Sequence, residues 1–151
     1  MNALRAVGGI VVAVSLGGCG LDLIYADWKV DQLCKKDGGV TTLIHERAPA
    51  DLLKANGEIN IDALVRPKQG QEYFAESTLV DIQTDDPKVF RSEYRLYRRE
   101  GNVLLGTSVA YYRVGQNISI PILSRRPYSC PAGNELINLA NAVFVARERT
   151  Q

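Results

Sequence analysis

The chain has 151 residues, 46% of them hydrophobic, with 18 Lys and Arg against 17 Asp and Glu. That apolar fraction supplies a core and excludes a disordered tether, and the length matches one ordinary domain once a leader is set aside. The even charge total conceals a lopsided distribution. Asp22 to Pro87 carries thirteen acids against seven bases, Lys88 to Arg126 eight bases against two acids, and Pro127 to Gln151 is neutral.

Taken from the N-terminus, Arg5 is followed by the uncharged apolar stretch Ala6–Ser15 and then by Leu16-Gly17-Gly18-Cys19. Positive, apolar, small is the order of a secretory leader. The apolar run Ala6–Leu21 holds only sixteen residues and five glycines, whereas a spanning helix needs about 20 mostly apolar residues. Leu16 to Cys19 resembles the lipobox of bacterial lipoproteins. The resemblance implies a leader over residues 1–18, cleavage between Gly18 and Cys19, and acylation of Cys19, leaving 19–151 as a single domain. Family members carry more than one acyl chain, and each buried methylene contributes about 0.8 kcal/mol, so such an anchor is stable. Gly20 stands where inner-membrane retention signals place Asp. That implies the periplasmic face of the outer membrane, rather than the inner membrane.

Leu21, Ile24, Tyr25 and Trp28 recur at helical spacing, with Val30, Leu33 and Cys34 beyond them. The pattern predicts a helix from Asp22 or Ala26 to Lys36, its apolar stripe facing the core, stopped by Gly38-Gly39. β-branched residues over Val40–Glu46 predict a strand. Ala50–Ala55 reads as a helical turn or two before Asn56-Gly57, and the remainder of Pro49–Gln71 as loop. Tyr73–Gln83 reads as a strand ending at the turn Asp85-Asp86-Pro87. Val89–Arg99 alternates, with Phe90, Tyr94 and Leu96 on one face and Arg91, Glu93 and Arg95 on the other. Glu100-Gly101-Asn102 returns the chain through Val103–Val114. A short edge strand is expected over Ile118–Leu123, interrupted by Pro121. Asn134 is placed to cap a last helix running to about Arg147, with Leu136, Ile137, Ala140, Val143 and Phe144 as its apolar face.

These elements make an α+β fold: an antiparallel sheet of four or five strands with an N-terminal and a C-terminal helix packed on it, covering one sheet face. With Cys19 assigned to lipid, Cys34 and Cys130 remain as an even pair in an oxidising compartment, which favours a disulfide. Closing that 96-residue span is worth about 4–5 kcal/mol in the chain-entropy model. The other uses weighed for these sulfurs are a reactive thiol at Cys130 before Pro131 and a metal site. The first lacks a Cys-x-x-Cys partner, and the second would have only two distant cysteines and His45. Cys34–Val40, the Arg91–Gly106 region and Ser129-Cys130-Pro131 are similar to a group of small uncharacterised exported proteins of proteobacteria. That resemblance implies the same pairing and carries no activity.

The basic segment offers Arg91, Tyr94, Arg95, Tyr97, Arg98 and Tyr111 as candidate partner-binding residues. The alternative is that acidic and basic portions neutralise each other in the fold. Nucleic acid is the usual partner of such a segment, but a periplasmic address excludes it and leaves an envelope protein or an anionic glycan or lipid. His45 is the only histidine, no Gly-x-Ser-x-Gly elbow occurs, and no Walker-type loop is present. No cofactor and no metal are therefore expected. The expected function is a membrane-anchored lipoprotein with a non-enzymatic binding or structural role in the envelope. The alternatives are an inhibitor or exclusion-type lipoprotein and an envelope hydrolase.

Overall fold

The computed structural model describes residues 18–115 and 127–145. The leader up to residue 17, the strand expected over Ile118–Leu123 and the helical tail expected beyond Val145 lie outside them. Helix α1 spans Gly18–Asp37. Leu23, Ala26, Val30 and Cys34, spaced by three and four residues, share one side of it and are buried. Lys35 and Lys36 in the last turn suit the negative end of the helix dipole. The helix stops at Gly38, whose N–H donates to the Cys34 carbonyl at 2.7 Å. A Cβ at Gly38 would lie 2.7 Å from that oxygen and from the Cys34 sulfur, so only glycine fits beside the disulfide.

The sheet is antiparallel and five-stranded. Strands β3 (Tyr73–Gln83), β4 (Lys88–Arg98) and β5 (Val103–Val114) form its consecutive hairpins. The far edge of β5 is shared by two short strands. Residues Val109 to Gly106 pair with β1 (Gly39–Thr42), and Arg113 to Tyr111 pair with β6 (Tyr128–Cys130). Cys34 and Cys130 are joined with a Cα separation of 5.9 Å, within the usual range. The bond ties the end of α1 to the point where β1 and β6 meet along β5.

The strand expected over Val40–Glu46 is broken in two. Leu105 is an extra residue in β5, since Leu96 pairs with Gly106 and Tyr97 with Leu104. The carbonyl of this bulge accepts from both Leu43 and Ile44, at 2.8 and 3.0 Å. One acceptor facing two successive amides cannot continue a ladder, so the chain leaves the sheet. It resumes as β2 (Glu46–Arg47), parallel to β7 (Phe144–Val145). Between β2 and β3, a 3₁₀ turn at Ala50–Leu52 and the short helix α2 (Ile61–Val65) bury Leu52 and Leu64. Only the first of these coincides with the helical turn expected from the sequence.

Helix α3 spans Glu135–Val143 and is capped as expected, the Asn134 side chain accepting from the Ile137 N–H at 3.1 Å. It ends earlier than expected because Phe144 and Val145 turn into the parallel pair with β2. Leu139, absent from the expected apolar face, is fully buried, while Ile137 is exposed.

The helices lie on opposite faces of the sheet, not on one. Val89, Val109 and Tyr111 pack with Val30 and Cys34 of α1. Leu96 packs with Leu139, Ala140 and Val143 of α3, in a larger cluster that includes Leu52, Leu64, Tyr73 and Leu105. Strand side chains alternate between faces, and Val109 and Gly106 are an odd number of positions apart. Gly106 sits directly under α3: a Cβ there would come within 3.1 Å of Leu139, 3.2 Å of Val143 and 2.8 Å of the Thr41 carbonyl. Both faces of β5 are thus covered, which a single-sided reading of the alternation misses.

Candidate functional site

The six residues of the basic segment do not form one surface. Arg91, Arg95, Tyr97 and Tyr111 fall on the α1 face, Tyr94 and Arg98 on the α3 face. On the α1 face, Glu93 sits between two guanidinium groups and accepts from Arg91 and from Arg95, each at 2.5 Å. Partial burial raises the Glu93 carboxyl, but the hydrogen bonds from Arg91 and Arg95 outweigh it and hold the group below the usual range. Arg91 also lies 3.5 Å from Asp37 at the end of α1. Tyr111 is buried and donates to Asp37 at 2.8 Å; burial, then this bond, raise its phenol. Tyr97 stacks on Phe74 at 5.3 Å, and the Arg99 guanidinium lies 5.1 Å from the Phe74 ring centre.

The same use of charge recurs along α1. Arg113, only 3% exposed, donates to Asp27. Tyr128 of β6 donates to Asp31 at 2.6 Å, which raises its phenol, with burial adding to the shift. Lys29 donates to Gln83 at 3.0 Å. Across the α1–sheet contact, two charge pairs join the acid-rich first half to the base-rich second half, Asp27–Arg113 and Asp37–Arg91, while Asp31 and Lys29 bond neutral partners.

On the opposite face Glu46 accepts from Arg98 at 2.5 Å and from Tyr73 at 2.6 Å. Burial first, and then the bond to Glu46, push the Tyr73 phenol upward. Tyr94 is half-buried against the α3 cluster. His45 is exposed, its Nδ1 3.0 Å from the Ala142 carbonyl oxygen. Glu135, 5% exposed at the start of α3, accepts from the Ser92 hydroxyl at 3.2 Å. Burial raises its carboxyl and the Ser92 bond offsets part of that rise. Sequence reasoning missed Asp27, Asp31, Asp37, Glu46 and Glu135 as partners. Each meets its mate across 27 to 97 positions, where no local pattern signals it.

Among the described residues, apolar side chains are exposed on β3 at Leu79, Val80 and Ile82 and at two further surfaces. A cavity of about 860 Å³ is walled by Leu53, Ile59, Ile61, Ile137, Phe144 and Val145; the residues following Val145 are outside the described ones. The other is the outward side of α1, where Ile24, Tyr25 and Trp28 are 61%, 60% and 55% exposed. This corrects the expectation that they form the core stripe: Leu23, Ala26, Val30 and Cys34 do, with Leu33 half-buried beside them, and Ile24, Tyr25 and Trp28 face away. The Tyr25 and Trp28 rings lie together, centres 5.7 Å apart. Cys19 is in the first turn of the same helix. Among the described residues no helix is long and apolar enough to cross a membrane, and none of their His, Cys, Asp and Glu side chains gather in threes that could hold a metal ion. Comparison with known protein families, with curated proteins and with solved structures found no match.

Proposed function

We propose that this protein is a bacterial lipoprotein, acylated on Cys19 and held at the periplasmic face of the outer membrane. Its folded domain then serves a non-enzymatic binding or structural role in the envelope. The observation that carries the reading is how directly the anchor joins the domain. Leu23, a fully buried side chain of α1, follows Cys19 by four residues of continuous helix. An acyl group at that cysteine would be attached to a rigid body rather than to a tether. The Cys34–Cys130 bond fits an oxidising compartment.

The non-enzymatic part rests on how the polar side chains are employed. Glu93, Glu46, Asp27, Asp31 and Asp37 each hold an Arg or a Tyr in place. His45 contacts a backbone carbonyl and, among the described residues, bonds no hydroxyl or carboxylate, whereas nucleophilic catalysis needs a base within reach of its nucleophile.

Metabolic labelling with radioactive palmitate, followed by mass spectrometry of the N-terminal peptide, tests the anchor. The wild-type chain should carry label and begin at an acylated Cys19. Cys19→Ala should lose both label and membrane association. A wild-type chain retaining residues 1–18, or bearing an unmodified sulfur at position 19, overturns the proposal. Crosslinking in intact cells would identify the bound partner. Turnover of an envelope substrate that disappears in His45→Ala would overturn the non-enzymatic role.

A further inference from the structure

We propose that the outward face of α1, made by Ile24, Tyr25 and Trp28, lies in the headgroup region of the membrane that holds Cys19. This makes the domain a body seated on the bilayer. The inference rests on the lipid-anchor reading above and adds to it a second, non-covalent contact.

Distance is the first argument. At 1.5 Å per residue, Ile24 and Trp28 stand about 7 and 13 Å along the axis from Cys19, on a helix with no break between them. The interfacial zone of a bilayer is itself roughly 5–8 Å deep on each side. By helical spacing position 19 falls on the side of Leu23, Ala26 and Val30, so Ile24 and Trp28 enter that zone when the helix lies against the bilayer with the acyl chains reaching around its first turn, with no spacer to lift it away.

Chemistry is the second argument. Trp and Tyr concentrate where one end of a side chain is apolar and the other wet, which is the headgroup level of a membrane. Ile24, Trp28 and Lys35 follow one line along the helix and Tyr25, Gln32 and Lys36 the adjacent one, at spacings of four and seven residues. The outward side therefore runs from apolar near the anchor to basic in the last turn, where exposed Lys35 and Lys36 can reach lipid phosphates. α1 carries four acids against three lysines. Asp27 pairs with Arg113 and Asp37 with Arg91, Asp31, three positions beyond Trp28, accepts from the neutral Tyr128, and Asp22 is exposed at the apolar end, so any pull on lipid phosphates is confined to Lys35 and Lys36. A stable protein interface buries roughly 800 Å² per side, and three side chains beside a lipid attachment point fit a membrane surface better.

Trp28 is the only tryptophan in the chain and so reports on this face alone. Purified lipidated protein would be reconstituted into vesicles of phosphatidylethanolamine and phosphatidylglycerol, with and without lipids brominated near the headgroup end of the acyl chains. Contact predicts a blue-shifted emission and about a twofold loss of intensity with the brominated lipid. Ile24→Ser together with Tyr25→Ser should keep the acyl group and lose most of that quenching. Emission unchanged by brominated lipid, in protein whose mass shows acylated Cys19, overturns the inference and leaves the anchor standing. So does a Trp28 shielded from acrylamide in cell envelopes yet unquenched by brominated lipid, which is the signature of a protein partner. Quenching in protein with no acyl group would instead sustain the membrane contact and remove the anchor.

Discussion

The two faces of the sheet are held by different physics. Under α3 lies a continuous apolar cluster in which Leu52, Leu64, Leu96, Leu105 and Leu139 are buried almost completely. Under α1, Val30 and Cys34 pack with Val89, Val109 and Tyr111, with Leu33, Tyr128 and Cys130 beside them. A disulfide and a row of Asp–Tyr and Asp–Arg bonds surround this contact. Leu23 and Ala26 are buried on the same side of α1, while Ile24, Tyr25 and Trp28 are directed outward. A helix apolar on two sides is a poor core helix and a good intermediary between a domain and another apolar phase.

Separating the two faces by mutation sharpens this contrast. The largest effect is expected from Cys34→Ser with Cys130→Ser. Loss of a 96-residue closure should lower unfolding free energy by about 4–5 kcal/mol, measured by denaturant titration. If that pair proves milder than a core truncation, the α1 face is held by its own contacts and the contrast fails. Leu139→Ala, on the α3 side, comes next at about 3 kcal/mol, because the cavity lies where Gly106 already brings the backbone close.

Glu135→Gln probes a buried acid of the α3 face, and its effect depends on pH. Because burial raises the folded carboxyl, the fold prefers the protonated form. The stability this contributes is complete below the unfolded value and is lost as pH rises from about 4 through the raised folded value. The variant should therefore match wild type at acid pH and become the more stable of the two as pH increases, read as Tm across the range. A difference independent of pH would assign the effect to packing. The smallest change is expected from Tyr25→Ser, within about 0.5 kcal/mol in detergent solution, since the ring rests on no buried group. A larger loss would mean that the outward face of α1 supports the fold itself.

The hairpins of the sheet are legible in the sequence nearly to the residue. Tyr73–Gln83 and Val103–Val114 coincide with the expected strands, and Val89–Arg99 is displaced by a single position. Local alternation and turn residues specify these elements, and nothing distant competes with them. The failures have one source, contacts made far along the chain. The bulge carbonyl of Leu105 breaks the Val40–Glu46 strand, and Phe144 leaves its helix to pair with Glu46. The burial of Leu139 in place of Ile137 depends on which face of the sheet α3 meets. Periodicity located an apolar helix from Asp22 or Ala26 to Lys36 but could not say which of its two apolar sides turns inward. Of the candidate site, the Cys34–Cys130 pair was readable from parity and compartment. The pairing of Arg91, Arg98 and Arg113 with Asp37, Glu46 and Asp27 was visible only as opposite charge in two parts of the sequence, and the Tyr bonds not at all.

The shared edge of β5 has a consequence for how the protein comes into being. One half of that edge is filled by residues just after α1 and the other by residues near the end of the chain, and β2 likewise waits for β7. Any chain ending before residue 128 leaves half of that edge, the sulfur of Cys34 and the underside of the opposite face without their mates. Such early, incomplete intermediates gain little from closing, because long-range pairing must be assembled before it is rewarded. A polypeptide of this topology stays open until almost its last segment has emerged.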